Sequence, residues 1–472
     1  MTALNPVYTC GFQIVETLRT HFIMAPSAAK KRALELMRMV EIPEPEVRFN
    51  SYPHQLSGGQ RQRIMIAQAL ACDPRLLIAD EPTTALDVTV QAEILKLMRD
   101  LRTRVDAGII LITHDMGVVA DMADDIIVMK DGKVVETGDA DKIFNHPEHP
   151  YTKQLLASVP HLGSHSSNMS AEPRTSIRVG EAPLAMHGTQ DPNVTPALLM
   201  EDVAIEYPKQ GSKPPFRAAH HINLRIDPGE VVGLVGESGS GKTTIGRAAV
   251  GLLPAVEGRL IINGRDITKA KNADLTPFRK EVGFVFQDPG SSLNPRLPVG
   301  ESIGEPLVLH QNLTGPALSK RVERLLDDVE LPRAMRNRYP HELSGGQRQR
   351  IGIARALALE PKLLIADEPT SALDVSVQAR VLKLFQDLQR DQGFACLFIS
   401  HDLAVVELLS ERIAVMSHGW LVEVGDTADI VNNPQHPYTQ RLIAAVPVPD
   451  PDEQRVRRER RDALLAEQRI VS

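Results

Sequence analysis

A long internal duplication constrains this chain more than any other feature. Tyr52-Pro-His-Gln-Leu-Ser-Gly-Gly-Gln-Arg-Gln-Arg-Ile64 returns 287 residues later as Tyr339-Pro-His-Glu-Leu-Ser-Gly-Gly-Gln-Arg-Gln-Arg-Ile351. The run LLIADEPTTALDVTVQA at 76–92 returns as LLIADEPTSALDVSVQA at 363–379. His114-Asp115 returns as His401-Asp402, and HPYT at 149–152 returns at 436–439. The register holds throughout, without net insertion. Repeats of about 20–50 residues build solenoids, and this one is far longer. It is a duplication of a whole domain, which agrees with the two or three domains expected of 472 residues.

The first copy is expected to be incomplete. Ala3-Leu-Asn-Pro6 resembles Ser292-Leu-Asn-Pro295, so Met1 corresponds to Gly290. The stretch from about Thr195 to Pro289 has no earlier counterpart. Roughly 90 residues are missing, judged from where a compact domain should begin. Met1 is therefore expected to be an internal methionine, and the chain an N-terminally truncated form; a genuine one-site protein is the alternative. The organisation read from the sequence is a truncated first domain at 1–160, a linker at 161–195 rich in Ser, Pro, Gly, His and Thr, a complete second domain at 196–447 and a charged tail at 448–472. The tail reads as a solvated helix, with a partner contact as the alternative.

Composition excludes several classes. No run approaches the roughly 18 uncharged apolar residues that a membrane-spanning helix needs. The N-terminus has no basic region followed by an apolar core, so no signal peptide is read. Net charge is −7 and no strongly basic domain stands out, which argues against a nucleic-acid partner. The three cysteines, Cys10, Cys72 and Cys396, have no close spacing; they suggest neither a metal nor a redox motif, and they fit a reducing cytosol.

Periodicity in the second copy gives the fold class. ALLMEDVAIEY and HINLRI read as strands, VVGLVG, KLLIADEP and ACLFIS as buried strands, and TTIGRAAVGLL as a helix. Buried apolar strands alternating with helices imply an α/β fold with a mainly parallel sheet.

Gly236-Glu237-Ser238-Gly239-Ser240-Gly241-Lys242-Thr243 matches the phosphate-loop pattern in full, between an expected strand and an expected helix. Its glycines let backbone N–H groups close around phosphate oxygens, and the N-terminus of the helix that opens with Thr243 and Thr244 adds a favourable dipole. Lys242 should reach the β- and γ-phosphates, and Thr243 should offer its hydroxyl to Mg²⁺. Asp367 and Glu368 end an apolar strand, where the first can hold Mg²⁺ and the second can orient or deprotonate an attacking water. His401 follows another strand and could contact the γ-phosphate. Ser344-Gly345-Gly346-Gln347 and Ser57-Gly58-Gly59-Gln60 each open a basic helix, a second kind of anion site. With the phosphate loop already made elsewhere, they suggest an ATP shared between two domains.

Together these motifs resemble the ATP-binding cassette (ABC) family. The resemblance rests on the phosphate loop, Gln287 in FVFQDP, both LSGGQ signatures, both acidic strand ends, Ala85-Leu-Asp87, Ala372-Leu-Asp374 and both histidines. FQDPGSSLNPR at 286–296 and the HPYT segments resemble the oligopeptide, dipeptide and nickel importer group, in which tandem cassettes occur. The resemblance implies P-loop ATPase domains with a helical signature subdomain, ATP and Mg²⁺ as cofactors, and Gln287 as a sensor of Mg²⁺ or water. It implies a head-to-tail sandwich in which the loop at 236–243 faces Ser57–Gln60. Tyr207, or else Phe216, should stack on adenine. The signature at 344–347 lacks a partner loop in this chain, and Asp80, Glu81 and His114 lack a lysine. The implied partners are two membrane-spanning permease subunits, an extracytoplasmic binding protein, and a second cassette in this chain or on another ATPase subunit. The implied location is the cytoplasmic face of the membrane, and the implied activity is ATP hydrolysis driving import, of peptides above all. A non-transport ABC ATPase and a non-catalytic remnant are the alternatives.

Overall fold

The computed structural model describes residues 4–84, 86–105, 107–160, 162, 194–208, 215–270, 272–371 and 373–471. Met1, nearly all of the expected linker, Ala85 and Ala372 lie outside the described residues. The chain forms two units. Unit 1 comprises 1–156 and 445–472, and unit 2 comprises 157–444.

Unit 2 carries two sheets. The first is antiparallel and joins β5 (Leu198–Tyr207), β6 (Phe216–Ile226), β8 (Ala255–Ile262) and β9 (Arg265–Asp266) in the order β6-β5-β8-β9. The second joins β7 (Val231–Gly236), β10 (Val282–Val285), β11 (Leu363–Asp367), β12 (Ala395–Ile399), β13 (Arg412–Ser417) and β14 (Trp420–Asp426) in the order β10-β11-β12-β7-β13-β14. Its first five strands are parallel, and β14 closes an antiparallel hairpin with β13. β7, β11 and β12 are buried along their whole length, which explains their unbroken apolar composition. Leu198, Ile222, Leu234, Ile245, Ile365 and Leu397 belong to the shared core. The helices Val299–Gln311, Gly315–Asp328 and Gly345–Leu357 make the signature subdomain. In the second of these, Val322, Leu325 and Leu326 fall at helical spacing on the buried face.

In unit 1 the helices Cys10–His21, Pro26–Met39, Gly58–Ala69 and Val88–Val105 enclose Ile14, Leu18, Leu36, Ile64, Ile94 and Met98. The first two align with the second copy at an offset of 289 residues, and the third aligns at 287. The difference falls between Pro43 and Tyr52, where a four-residue helix, Pro45–Arg48, stands in place of the 3₁₀ turn Arg333–Asn337. Among the described residues of unit 1 the strands form two pairs: β1 (Leu76–Asp80) parallel to β2 (Gly108–Ile112), and β3 (Asp125–Lys130) antiparallel to β4 (Lys133–Asp139). Their counterparts β12 and β13 are bridged by β7; among the described residues no strand bridges β2 and β3.

The consequence is visible in one pentapeptide. Leu-Leu-Ile-Ala-Asp forms both β1 and β11. In β11 every residue is buried, whereas in β1 Leu76 is 51% exposed and Ile78 61%. Local sequence makes the strand, and neighbouring layers decide whether it is covered.

The tail, expected as a solvated helix, forms Pro451–Val471 and packs within unit 1. Arg458 lies 3.3 Å from buried Asp121, which also pairs with Arg99. Gly117 leaves room for Pro447, because a Cβ there would sit 2.7 Å from the proline ring. Gln454 and Arg461 are buried. The charge-rich composition conceals this contact: the Arg457, Arg458 and Arg461 side chains are largely covered, each within reach of a carboxylate.

The two copies of the pentapeptide predict opposite responses to one substitution. Ile78→Lys should change stability by no more than about 0.5 kcal/mol. Ile365→Lys, at the equivalent fully buried position, should cost more than about 4 kcal/mol. Urea unfolding of the two variants checks this.

Candidate active site

The chemistry-bearing residues of unit 2 arise at the C-terminal ends of four adjacent parallel strands. β7 runs into the glycine-rich loop, β10 into Gln287, β11 into Asp367 and Glu368, and β12 into His401. A parallel sheet places these ends along one edge, where α/β folds open a crevice.

The loop is shaped by glycine. Gly236 has φ +149°, and a Cβ there would meet the Met416 carbonyl oxygen at 2.1 Å. Gly241 has φ +106°, and its Cβ would meet the Ala218 oxygen at 2.6 Å. Any side chain at either place collides with backbone. The helix Lys242–Ala249 starts directly after Gly241, so its free N–H groups face the loop. Lys242 is only 5% exposed, and its Nζ donates to the carbonyls of Gly236 at 2.7 Å and Glu237 at 2.9 Å. An ammonium so desolvated is held in place for an anionic ligand to claim.

Thr243 donates its hydroxyl to Asp367 Oδ1 at 3.1 Å. Asp367 is 4% exposed. Burial pushes its pKa up to about 6, against the Thr243 hydrogen bond that favours ionisation. Glu368 has φ +47°, a costly left-handed conformation for glutamate. It accepts the Gln287 amide at 2.9 Å and lies 3.2 Å from His401 Nδ1. Burial opposes the Glu368 charge, but the hydrogen bond and charge of His401, with Lys242, outweigh it and hold the pKa below the usual glutamate value. Burial likewise opposes charge on His401, and the hydrogen bond and charge of Glu368, with Asp402, hold its pKa above the ordinary range. The two form an ion pair beside the loop. Asp402 caps the following helix through the N–H groups of Ala404 and Val405, fixing the turn that carries His401.

The adenine candidates are cross-strand neighbours, because Tyr207 pairs with Phe216. The Tyr207 hydroxyl lies 3.2 Å from Thr244 Oγ1, just past the loop, while Phe216 is 67% exposed.

The signature residues do local work that their sequence reading did not assign. Ser344 Oγ accepts the Gln347 N–H at 3.3 Å, and Gln347 Oε1 accepts the Ser344 N–H at 3.0 Å. Ser57 and Gln60 repeat this, with both distances at 3.2 Å. Each pair is a capping box, so the glutamine carbonyl is committed to the helix start. Gly59 and Gly346 are needed for close approach: a Cβ would sit 2.5 Å from Val90 and 2.4 Å from Val377 respectively. Gly58 and Gly345 open the two helices with ordinary room around them.

Unit 1 reproduces part of the site. Glu81, again at positive φ, lies 2.7 Å from His114 Nδ1 and accepts the Thr84 hydroxyl at 2.6 Å. Asp80 ends β1 as Asp367 ends β11. Among the described residues of unit 1 no lysine stands where Lys242 stands. Sequence reasoning also missed Tyr438, whose hydroxyl accepts the Glu237 N–H at 3.0 Å. The repeated HPYT motif was the only available signal, and it carries no chemistry by itself.

Comparison with known proteins finds two family models, each matching two stretches of the chain. The family described as "ABC transporter" matches residues 4–84 and 219–371, and the "Oligopeptide/dipeptide transporter, C-terminal region" matches 135–183 and 422–469. The glutathione import ATP-binding protein GsiA of Salmonella choleraesuis (strain SC-B67) is 49% identical over 466 residues, covering 97% of this chain and 75% of that protein. GsiA of Escherichia coli (strain K12) is 47% identical over 467 residues, with the same coverage. Among solved structures, the ATP-binding cassette MJ0796 bound to ADP and Pi is 32% identical with a TM-score of 0.45, covering 49% of this chain and 98% of that one.

Asp367 gives a pH signature. Its folded pKa, about 6, lies above its ordinary 3.8, so the folded chain keeps a proton that the unfolded chain releases. The ionised group therefore costs stability above about pH 6, and the cost vanishes below about pH 4. Asp367→Asn, measured by thermal unfolding without nucleotide or divalent cation, should stabilise unit 2 at pH 8 by up to an order of 3 kcal/mol and have little effect at pH 4.

Proposed function

This chain belongs to the ATP-binding cassette transporter family, and from that premise we propose that it is the ATP-hydrolysing subunit of an importer for glutathione or other short peptides. Proteins of this family bind and hydrolyse ATP, and this chain is an ATPase of that kind. The observation that carries the reading is the meeting of Lys242, Thr243, Asp367, Glu368, Gln287 and His401 at the ends of four neighbouring strands.

The loop 236–243 receives the phosphates. Its backbone N–H groups and the start of the helix Lys242–Ala249 face the anion, and Lys242 exchanges its carbonyl partners for β- and γ-phosphate oxygens. Tyr207, tethered beside Thr244, is the adenine-stacking residue, with Phe216 beside it. The all-oxygen pair Thr243 and Asp367 suits a hard divalent cation, and an Asp carboxylate buried to 4% exposure with a raised pKa is a group that such a cation would neutralise. Thr243, Asp367 and Gln287 would hold Mg²⁺, and the ion would offset charge developing on the phosphate oxygens.

Glu368, kept ionised by His401, orients the water that attacks the γ-phosphorus as the bond to ADP breaks. Its lowered pKa makes it a weak base, so orientation contributes more than proton uptake. His401 sits beside it as the γ-phosphate contact. Ser57–Gln60 and Ser344–Gln347 are signature elements that present helix N-termini to a nucleotide held by an opposing cassette. Gly58 and Gly345 keep those helix starts free of side chains.

The cargo reading is supported by the relatives, which are named for glutathione import, and by the match to the oligopeptide/dipeptide C-terminal region. Two membrane-spanning permease subunits and an extracytoplasmic binding protein are the partners, and the cytoplasmic membrane face is the location. Among the described residues no helix is long and apolar enough to cross a membrane.

Two substitutions separate binding from chemistry. Lys242→Ala should abolish measurable ATP binding. Glu368→Gln should preserve binding and lower hydrolysis by at least about 100-fold. Calorimetry with ATP and a phosphate-release assay check both; unchanged hydrolysis in either variant would overturn the assignment.

A further inference from the structure

The HPYT motif occurs twice, and its backbone wiring is the same in both copies. In unit 1, Glu136 accepts the N–H groups of Glu148 at 2.7 Å and His149 at 3.1 Å, and His149 Nδ1 accepts the Tyr151 N–H at 3.1 Å. In unit 2, Glu423 accepts those of Gln435 at 2.7 Å and His436 at 3.1 Å, and His436 Nδ1 accepts the Tyr438 N–H at 3.1 Å. Buried Glu423 lies on β14, so the motif is fastened to the hairpin that flanks β7.

What the tyrosine meets differs between the copies. Tyr151 is half-buried and lies under the Lys130 ammonium, 4.7 Å from its ring centroid. Tyr438 is 6% exposed, and its hydroxyl accepts the N–H of Glu237 inside the phosphate loop. That N–H and the Gly236 carbonyl belong to one planar trans peptide unit and point in opposite directions. The carbonyl is the one that receives Lys242 Nζ at 2.7 Å. Gly236, at φ +149°, offers no side-chain restraint on this plane. Hydrogen bonds at both of its ends, Tyr438 on the N–H and Lys242 on the carbonyl, restrain its rotation.

We propose that Tyr438 of the second HPYT motif is a positioning residue for ATP hydrolysis, its hydroxyl holding the 236–237 peptide so that Lys242 is presented to the phosphates. The C-terminal region thereby acts on the nucleotide site through this hydrogen bond, whereas among the described residues Tyr151 of the first copy meets Lys130. The inference rests on the reading of 236–243 as the phosphate-gripping loop.

The test uses the full chain and steady-state ATP hydrolysis. Tyr438→Phe keeps the ring and removes the acceptor. It should raise KM for ATP about five- to tenfold, the effect of one lost hydrogen bond, with kcat within about twofold. The melting temperature should stay within about 5 °C of wild type. Tyr151→Phe should change neither constant. A wild-type KM in Tyr438→Phe overturns the proposal, as does a KM rise accompanied by a larger fall in melting temperature, which would make Tyr438 a core residue only. Lys242→Ala, assayed alongside, separates the two levels. If it loses hydrolysis while Tyr438→Phe behaves as wild type, this inference alone fails. If Lys242→Ala retains wild-type hydrolysis, the phosphate-loop reading fails and takes this inference with it.

Discussion

The backbone hydrogen bonds of β7 to β12 on one side and β13 on the other organise everything chemical in unit 2. They place β7 inside a sheet in which β7, β11 and β12 are buried along their whole length, and they set its C-terminal end beside those of β10, β11 and β12. A loop that must close its N–H groups around phosphate needs such a base, because its glycines supply no rigidity of their own. Among the described residues of unit 1, the β1–β2 and β3–β4 pairs form separate sheets, and the Glu81–His114 pair repeats the Glu368–His401 contact.

Electrostatics in the site follow from this burial. Two adjacent carboxylates with different partners separate into different states. Asp367, with a neutral hydroxyl for a partner, is pushed toward protonation and suits a cation; Glu368, paired with His401, stays ionised. Divergent environments for neighbouring acids are a common way for a site to divide cation binding from water activation. The positive φ at Glu368, repeated at Glu81, shows that both turns hold the same uncommon backbone conformation to present that carboxylate.

Much of this was legible in the residues. The apolar runs VVGLVG, LLIAD and ACLFIS form the buried strands of unit 2, and the loop, the acidic strand end and His401 converge. Burial of β1 was not legible, since the same five letters form β11, and only neighbouring strands distinguish the two. Ser57-x-x-Gln60 and Ser344-x-x-Gln347 carried a readable capping-box signal beneath the anion-site reading. The docking of the tail was hidden by its charge, because Arg458 finds its partner in Asp121, far away in sequence. Tyr438 was hidden for a related reason: the bond it makes spans 201 residues, and no local pattern announces it.

The central claim is that the chain grips ATP through the loop of unit 2. Its most direct test is the nucleotide stoichiometry of the purified chain, combined with photo-crosslinking of an azido-ATP and peptide mapping. The account predicts one ATP per 472-residue chain and label chiefly on peptides of unit 2 around Tyr207 and the loop at 236–243. Label recovered chiefly from unit 1, or full binding that leaves the loop peptides unmodified and unprotected, would contradict it.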